Sequence, residues 1–333
     1  MIFIKTKRKL LISRLAAVLA VLVFIAILAS CNISYLTQAA AGHFRIMNSR
    51  KSIKKILKDD QLDIKTRNSL EMVLDIHDFA IRELGLPDNK SYTLYSELKE
   101  DYPGWNVYCA PKFSIEPKTW CFPVAGCVVY HGYFKKEKAI QFADKMEKEG
   151  YDVYVAPFSA YSTLGWYNDP ILSTHLRYDS IRLAGLIIHE LAHQKLYVKG
   201  DSQFNESFAV TVEQAGVLKW LESLGRKDQM AKALKNWNEE REFIERILKA
   251  RKDLNSIFIS VIDSMSMLHQ KDSILQKLQS DLNFGENEIN NAYFIPVSTY
   301  NSLVPEFQNI FDSCGGNFQK FYKKMEKLIV IEP

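Results

Sequence analysis

The sequence predicts an α+β protein that is mainly helical, with a small sheet that precedes one buried helix. Three observations predict this fold class. Apolar residues recur at helical spacing along most of the chain, aromatic and β-branched runs are concentrated in its middle, and a strongly apolar helical segment follows them at residues 181–196. The 333 residues are enough to bury a sizeable core, and the content of 47% hydrophobic and 25% charged residues matches ordinary globular proteins.

The charge balance limits the classes of partner. Lys and Arg number 43 against 39 Asp and Glu, which gives a formal net charge of +4. This excess is too small to indicate binding to nucleic acid, so we expect no nucleic-acid partner.

The first element is an export signal at residues 1–30. Four basic residues between Lys5 and Lys9 precede an apolar run over residues 15–29, which is short for a bilayer span but typical of a signal peptide. The sequence Leu28-Ala29-Ser30-Cys31 resembles the bacterial lipobox, which implies that the mature chain starts at a lipidated Cys31. The alternative is an uncleaved signal anchor. We expect a lipid-anchored protein of the bacterial cell envelope, and Asn32 favours the outer membrane, facing the periplasm.

Residues 31–104 are expected to form an N-terminal helical region. Helical spacing of apolar residues predicts helices over 35–47, 53–58 and 66–84. Gly85 and Pro87 are expected to end the last of them.

Residues 105–178 are expected to be a small β-containing region. Aromatic and β-branched runs predict strands at 105–110, within 120–134 and at 151–158, with a charged helix over 135–149. These strands account for the predicted sheet.

The next helix carries the sequence His189-Glu190-Leu191-Ala192-His193, an HExxH motif. Asp179 or Ser180 can cap the start of this helix. Residues four apart lie on the same helical face, so the two imidazoles point to one place with Glu190 beside them. Such a pair binds Zn2+, and we expect one zinc ion per chain. The alternative, two structural histidines, would bury two imidazoles and a carboxylate at high cost.

A third zinc ligand is expected from the following helix. Lys199-Gly200-Asp201 predicts a turn, and two helices that fold back about it would bring Glu206 level with His193. Residues 179–225 are therefore expected to form a zinc-binding helical hairpin with Glu206 as a ligand. Asp201 and Glu213 are rivals, and Glu213 is better placed to orient a ligand histidine.

Residues 226–333 are expected to form a C-terminal helical region. Residues 227–282 carry a charged, heptad-like pattern that predicts a long helical hairpin.

Four cysteines remain after Cys31, and in an exported protein they permit three pairings if all are bonded. We expect a disulfide between Cys121 and Cys127, because residues 122–126 can turn sharply.

These segments carry a resemblance that covers nearly the whole mature chain. They are Tyr35-Leu-Thr-Gln-Ala, Trp120-Cys-Phe-Pro-Val-Ala-Gly-Cys, Gly132-Tyr-Phe, Ala160-Tyr-Ser-Thr-Leu-Gly-Trp, residues 189–194, Asn205-Glu-Ser-Phe-Ala, and Asn290-Asn-Ala with Tyr300. The chain resembles the gluzincin metallopeptidases, and more closely the bacterial family labelled putative aminopeptidase. This resemblance implies a zincin-like metallopeptidase that hydrolyses peptides with zinc.

Two departures from gluzincins affect the expected site. The spacing from His193 to Glu206 is shorter than in thermolysin, and Val210 stands where an Asp would support a ligand histidine. Another group must therefore support the histidines.

The residues also support a mechanism. Glu190 is the expected general base, and Tyr300 is the expected donor to the substrate carbonyl oxygen, with Tyr161 and Tyr197 as the next candidates. By comparison with gluzincins, the residues Tyr161, Ser162, Thr163, Leu164 and Gly165 are a candidate substrate-binding edge strand. An ordinary loop that turns at residues 168–170 is the alternative.

We therefore expect an envelope-anchored zinc peptidase, an aminopeptidase by family label, with a peptide as substrate and the membrane as a partner through the lipid anchor. Two alternatives stay open. One is a non-catalytic envelope lipoprotein with a structural zinc and a partner-binding helical hairpin, and the other is a zinc amidase that acts on a cell-wall component.

Overall fold

The structure is a computed structural model that describes residues 14, 18, 33–122, 126–284 and 289–331. The chain divides into two compact units, residues 1–45 and residues 46–333. Apart from positions 14 and 18, the expected signal peptide of residues 1–30 lies outside the described residues, and so does Cys31. Within the described part of the chain, no helix combines the length and the apolarity needed to cross a membrane.

The described residues are mainly helical. The α-helices are α1 (Ile33–Asn48), α2 (Ile53–Ile56), α3 (Ile64–Leu84), α4 (Lys136–Lys148), α5 (Ser180–Lys195), α6 (Ser202–Ser223), α7 (Lys227–Phe258), α8 (Ser264–Asp281), α9 (Phe294–Asn301), α10 (Val304–Ser313) and α11 (Phe318–Ile331). Short 3₁₀ helices occupy Ser173–Arg177 and Asn291–Tyr293. The strands are β1 (Lys51–Ser52), β2 (Leu94–Ser96), β3 (Gly104–Pro111), β4 (Trp120–Phe122), β5 (Gly126–Val128), β6 (His131–Tyr133), β7 (Tyr151–Phe158) and β8 (Pro170–Leu172).

The helices expected from periodicity are confirmed, with shifts of a few residues at their ends. Helix α3 starts after Asp63, whose carboxylate accepts a hydrogen bond from the Thr66 backbone N–H. It ends at Gly85, which adopts the left-handed conformation with φ 68°. The charged helix before β7 and the long C-terminal hairpin of α7 and α8 are also present.

The expected small sheet before the HExxH helix is present, formed by β6, β3 and β7, and the strands also form two further sheets. The longest strand pairing is between β3 and β7, which run antiparallel from Gly104 opposite Phe158 to Pro111 opposite Tyr151. Strand β6 pairs with the other edge of β3. Strands β4 and β5 form a separate hairpin. A third sheet joins β1, β2 and β8, whose short strands carry too little periodic signal to be predicted.

Helix α5 lies in the main apolar core, between α3 and α6. Gly216 of α6 makes this close packing possible, because a Cβ atom there would lie 2.7 Å from Leu84 and 3.1 Å from Ile188. The HExxH helix is therefore held on two sides by apolar contacts. Its buried core members are Leu183, Ala184, Ile187, Ile188, Leu191 and Ala192.

A buried ion pair ties the C-terminal helices to the main sheet. The Lys271 ammonium of α8 donates to the Asp152 carboxylate at 2.5 Å and to the Lys112 carbonyl at 3.0 Å. Asn291 donates its backbone N–H to the same carboxylate and its side-chain amide to carbonyls of the segment that follows β3. Because Asn291 begins the 3₁₀ helix that leads into α9, this network fixes the start of the helix that carries Tyr300.

We expect Lys271→Met to lower the free energy of unfolding by about 3 kcal/mol, because the Asp152 carboxylate would stay buried without its cation. Lys277→Met is the matched control, since Lys277 is exposed on the same helix, and it should change stability by less than about 0.5 kcal/mol. Urea-induced unfolding measures both. Equal stability of the two variants would show that the ion pair does not hold the C-terminal helices.

Candidate metal centre

The two helices of the candidate centre are set by local hydrogen bonds. Asp179 caps α5 by accepting from the Arg182 N–H, and Asp201 caps α6 by accepting from the Phe204 N–H. The turn between them is held by the Asn205 side chain, which bonds both the N–H and the carbonyl of Val198 at 2.7 Å. The helices are antiparallel neighbours as expected, and the Asp201 carboxylate is engaged at the helix cap.

Three side chains converge between these helices. One donor atom each from His189, His193 and Glu206 lies within 4.8 Å of the others. The two Nε2 atoms are 3.1 Å apart, and the Glu206 Oε2 lies 3.2 Å from Nε2 of His189 and 3.3 Å from Nε2 of His193. Ligands held at about 2.0 Å around a tetrahedral zinc are about 3.3 Å apart, so the triad has the dimensions of a metal site.

Glu213 supports one of the histidines from behind. The Glu213 carboxylate lies 2.9 Å from Nδ1 of His189. The other ring nitrogen of His189, Nε2, is the one that faces the triad. A His189 ring that donates its Nδ1–H to Glu213 directs the Nε2 lone pair at the convergence point. Glu213 thus takes the supporting role for which Val210 is unsuited.

Gly185 makes room for Glu213. A Cβ atom at this position would lie 2.7 Å from the Glu213 Oε1. Because Gly185 is one helical turn before His189, the glycine leaves the space through which the carboxylate reaches the ring.

The electrostatics of the triad favour a cation. Burial opposes protonation of His189, but the carboxylates of Glu206 and Glu213 outweigh it and raise the pKa of His189 well above its usual value. Burial also acts to raise the pKa of Glu206, but the nearby His193 and His189 lower it to about 2. The carboxylates of Glu206 and Glu213 thus favour positive charge where the three donor atoms meet, and a divalent metal would supply that charge.

Glu190 is 8% exposed and lies next to His189 on the motif helix. Two buried groups surround it, Tyr92 and Asp169. Burial raises the pKa of Tyr92 well above its usual value, and the charges of Glu190 and Asp169 raise it further. Burial raises the pKa of Asp169 to about 6, against the effect of its hydrogen bonds from Thr163. Glu190 therefore sits in a polar pocket largely closed to water.

Three tyrosines lie close enough to the triad for the charge of the Glu206 carboxylate to raise their pKa values. The charge of Glu206 is the main cause that raises the pKa of Tyr300 well above its usual value, although Tyr300 is 38% exposed. The Tyr300 ring also stacks on His189 with 6.3 Å between centroids. For Tyr108 and Tyr197, burial is the first cause of a raised pKa, and Glu206 contributes. These phenols keep their protons and can act as hydrogen-bond donors.

Residues 161–165 are not an edge strand. The strand before them ends at Phe158, and the positive φ angles of Leu164 (55°) and Gly165 (80°) are incompatible with an extended chain. The Asp169 carboxylate holds the loop by accepting from the N–H and the hydroxyl of Thr163 at 2.9 and 2.7 Å. The strand expectation is therefore wrong, and the loop alternative is correct.

The loop nevertheless borders the motif helix. A Cβ atom at Gly165 would lie 3.2 Å from the side chain of Gln194, the residue that follows the motif. Ser162 lies beside the Tyr92 hydroxyl, close to Glu190. Tyr161, in contrast, packs on Phe134 in a small apolar cluster, which makes it a packing residue.

A disulfide joins Cys121 and Cys127 across the β4–β5 hairpin. The hairpin lies against the turn between α5 and α6, because a Cβ atom at Gly126 would be 2.8 Å from both Gly200 N and Lys199 Cγ. Among the described residues, Cys109 and Cys314 are free thiols.

Sequence reasoning missed Tyr92, Tyr108, Asp169 and Gly185. A glycine inside a helical pattern is a recognised sign of close packing, so Gly185 could have been singled out. Tyr92, Tyr108 and Asp169 come from a loop, a strand and a turn far apart in the chain. No local pattern indicates that they meet beside the motif helix.

Comparisons with known proteins give one match. Residues 34–333 match the family described as "Putative aminopeptidase". Neither the curated proteins nor the solved structures yield a match. The matched range includes the triad, Glu190 and the surrounding tyrosines.

We expect Glu206→Ala to weaken Zn2+ binding more than Glu213→Gln, because the first removes a ligand with its charge and the second removes only the support of His189. The loss for Glu213→Gln should be about 10- to 100-fold in affinity. Gly185→Ala should resemble it, since the added methyl displaces the carboxylate. Competition with a chromophoric chelator measures all three. If Glu206→Ala keeps stoichiometric zinc while Asp201→Ala or Glu213→Ala loses it, the ligand assignment is wrong.

Proposed function

The chain belongs to the putative aminopeptidase family, and from this we propose that it is a zinc-dependent aminopeptidase with a zincin-like, gluzincin type of site. The observation that carries the proposal is the approach of the His189, His193 and Glu206 donor atoms to 3.1–3.3 Å from one another, next to Glu190.

The number of converging donors favours a catalytic site. Structural zinc is usually closed by four protein ligands, whereas catalytic zinc keeps three and leaves one position for water. In the described part of the chain, the group contains three donors. Glu190, which a structural zinc would not need, is retained beside it. The lipoprotein alternative with a structural zinc is therefore disfavoured.

The residues divide the work of peptide hydrolysis. Bound zinc supplies a water of lowered pKa and polarises the scissile carbonyl. Glu190 accepts the proton of the attacking water and passes it to the leaving amine. Its pocket of Tyr92 and Asp169 limits exchange of that proton with solvent. Glu213 keeps His189 in the tautomer that presents its Nε2 lone pair.

Tyr300 is the donor to the developing oxyanion in this proposal. Its raised pKa keeps the phenol protonated, and its ring stacks on His189. A neutral donor held beside the metal stabilises negative charge on the carbonyl oxygen as it forms. Tyr108 and Tyr197 occupy the same surroundings and are the alternatives for this role.

The proposal includes a location. Cys31 is two residues before Ile33, the first residue of the described helix α1. A diacylglyceryl group on Cys31 would hold the folded protein near the lipid surface of the bacterial envelope, with no long tether between them. The asparagine at position 32 favours the outer membrane.

The test of activity compares a peptide that has a free amino terminus with its amino-acetylated form. The zinc-loaded protein should release the first residue of the free peptide only, and chelator should abolish the reaction. Glu190→Gln is the matched variant. It should hold zinc but lose activity about 100-fold or more, because the amide cannot accept a proton. Cleavage of both peptides would contradict the aminopeptidase assignment and indicate an endopeptidase. Full activity of the zinc-loaded variant would remove Glu190 from the base role.

The test of anchoring is mass spectrometry of the native amino terminus. We expect it to start at Cys31 with two acyl chains on a thioether-linked glyceryl group, because two chains anchor stably where one does not. Cys31→Ala should leave an uncleaved precursor in the membrane. An intact Met1, or an unmodified Cys31 on membrane-extracted protein, would establish the signal-anchor alternative.

A further inference from the structure

The end of the α7–α8 hairpin exposes a group of large apolar side chains. This hairpin tip, residues 259–268, includes Ile259 at 75% exposure, Val261 at 104% and Met265 at 76%, with Ile262 and Leu268 each more than one-third exposed. Soluble proteins seldom concentrate so many exposed apolar side chains at one point, and where they do, the surface usually binds something.

The tip extends beyond the part of the hairpin that packs on the protein. The last fully buried residue of α7 is Leu254, and α8 becomes buried at Met267 and at Lys271, which is paired with Asp152. The ring of Phe258 still packs edge-to-face on Phe113, with 6.2 Å between the ring centroids. The tip therefore projects beyond the packed part of the hairpin.

The chemistry of the tip fits lipid better than protein. Its apolar residues are Ile, Val, Met and Leu, and it contains no Trp, Tyr or Arg, the residues that dominate protein–protein hot spots. Full exposure of Val261 shows that the tip is convex. A fluid acyl-chain region can surround such a projection, whereas a protein partner would need a matching cavity.

The charges near the tip suit anionic headgroups. Helix α7 carries the exposed Lys249 and Lys252 in its last turns, with Asp253 beside them and Asp272 on α8 as the opposing charges. Asp263, the acidic residue inside the tip, caps α8 by accepting from the N–H groups of Met265 and Ser266. Basic side chains about two to three turns behind an apolar tip can reach phosphate groups when the tip enters the interface.

We propose that the hairpin tip is a second membrane contact, which inserts Ile259, Val261 and Met265 into the headgroup boundary of an anionic lipid bilayer. The proposal does not depend on hydrolytic activity, and it rests on the proposed anchoring only in that Cys31 would keep the tip near a lipid surface. Together the two contacts would orient the protein on the membrane.

The experiment places an environment-sensitive fluorophore on the full chain. Val261→Cys is labelled in a Cys314→Ser background, because Cys314 is the partly exposed free thiol among the described residues. Vesicles of phosphatidylethanolamine and phosphatidylglycerol are then added to the labelled chain. Lys227→Cys, labelled in the same way at the opposite end of α7 and about 45 Å distant, is the matched control.

Insertion predicts a several-fold rise in fluorescence at position 261 on addition of vesicles, quenching by nitroxide-labelled acyl chains, and loss of quenching by aqueous iodide. The control should stay iodide-accessible. Unchanged iodide access at position 261 would overturn the proposal, and protection from both quenchers would overturn it in favour of a protein cover. Equal lipid quenching at both positions would also overturn it. Failure of the chain to co-float with vesicles would overturn both membrane contacts, whereas co-flotation with position 261 still accessible to iodide would overturn the tip contact alone.

Discussion

The mutual approach of two imidazole nitrogens and one carboxylate oxygen in a buried place is the constraint on which the rest of the structure depends. The side chains of His189 and Glu206 are only 13% and 19% exposed, and their mutual contact raises the pKa of His189 and lowers the pKa of Glu206 to about 2. Such a group is stable when a cation lies at its centre. The helical hairpin of α5 and α6 exists to bring these three atoms together.

Three features keep the hairpin in register. Apolar packing holds α5 between α3 and α6, and Gly216 permits the close contact. Asn205 clamps the turn through Val198, and the disulfide-bonded β4–β5 hairpin packs on Gly200. A glycine also makes space at the site, because the absence of a side chain at Gly185 leaves room for the Glu213 carboxylate. The site's precision thus depends on glycines as much as on the ligands.

Local signals predicted the elements well, and non-local contacts limited the rest. Some signals depend only on residues that are close in sequence, namely helical periodicity, the Asp179 cap and the turn at Lys199-Gly200-Asp201. For this reason α5, α6 and the position of Glu206 opposite His193 could be predicted. The three-sheet arrangement could not, because β2 pairs with β8 across a large part of the chain. Residues 161–165 were misjudged as a strand since the positive φ angles at Leu164 and Gly165 depend on the Asp169 contact. The pocket of Tyr92 and Asp169 around Glu190 has no local signal at all.

X-ray absorption at the zinc edge of the full chain tests whether His189, His193 and Glu206 hold one zinc ion. We expect one zinc per chain with two imidazole ligands and oxygen ligands at about 2.0 Å, and no sulfur ligand. Sulfur scattering at about 2.3 Å, which would implicate the free thiols, or zinc below one ion per chain after loading, would contradict it.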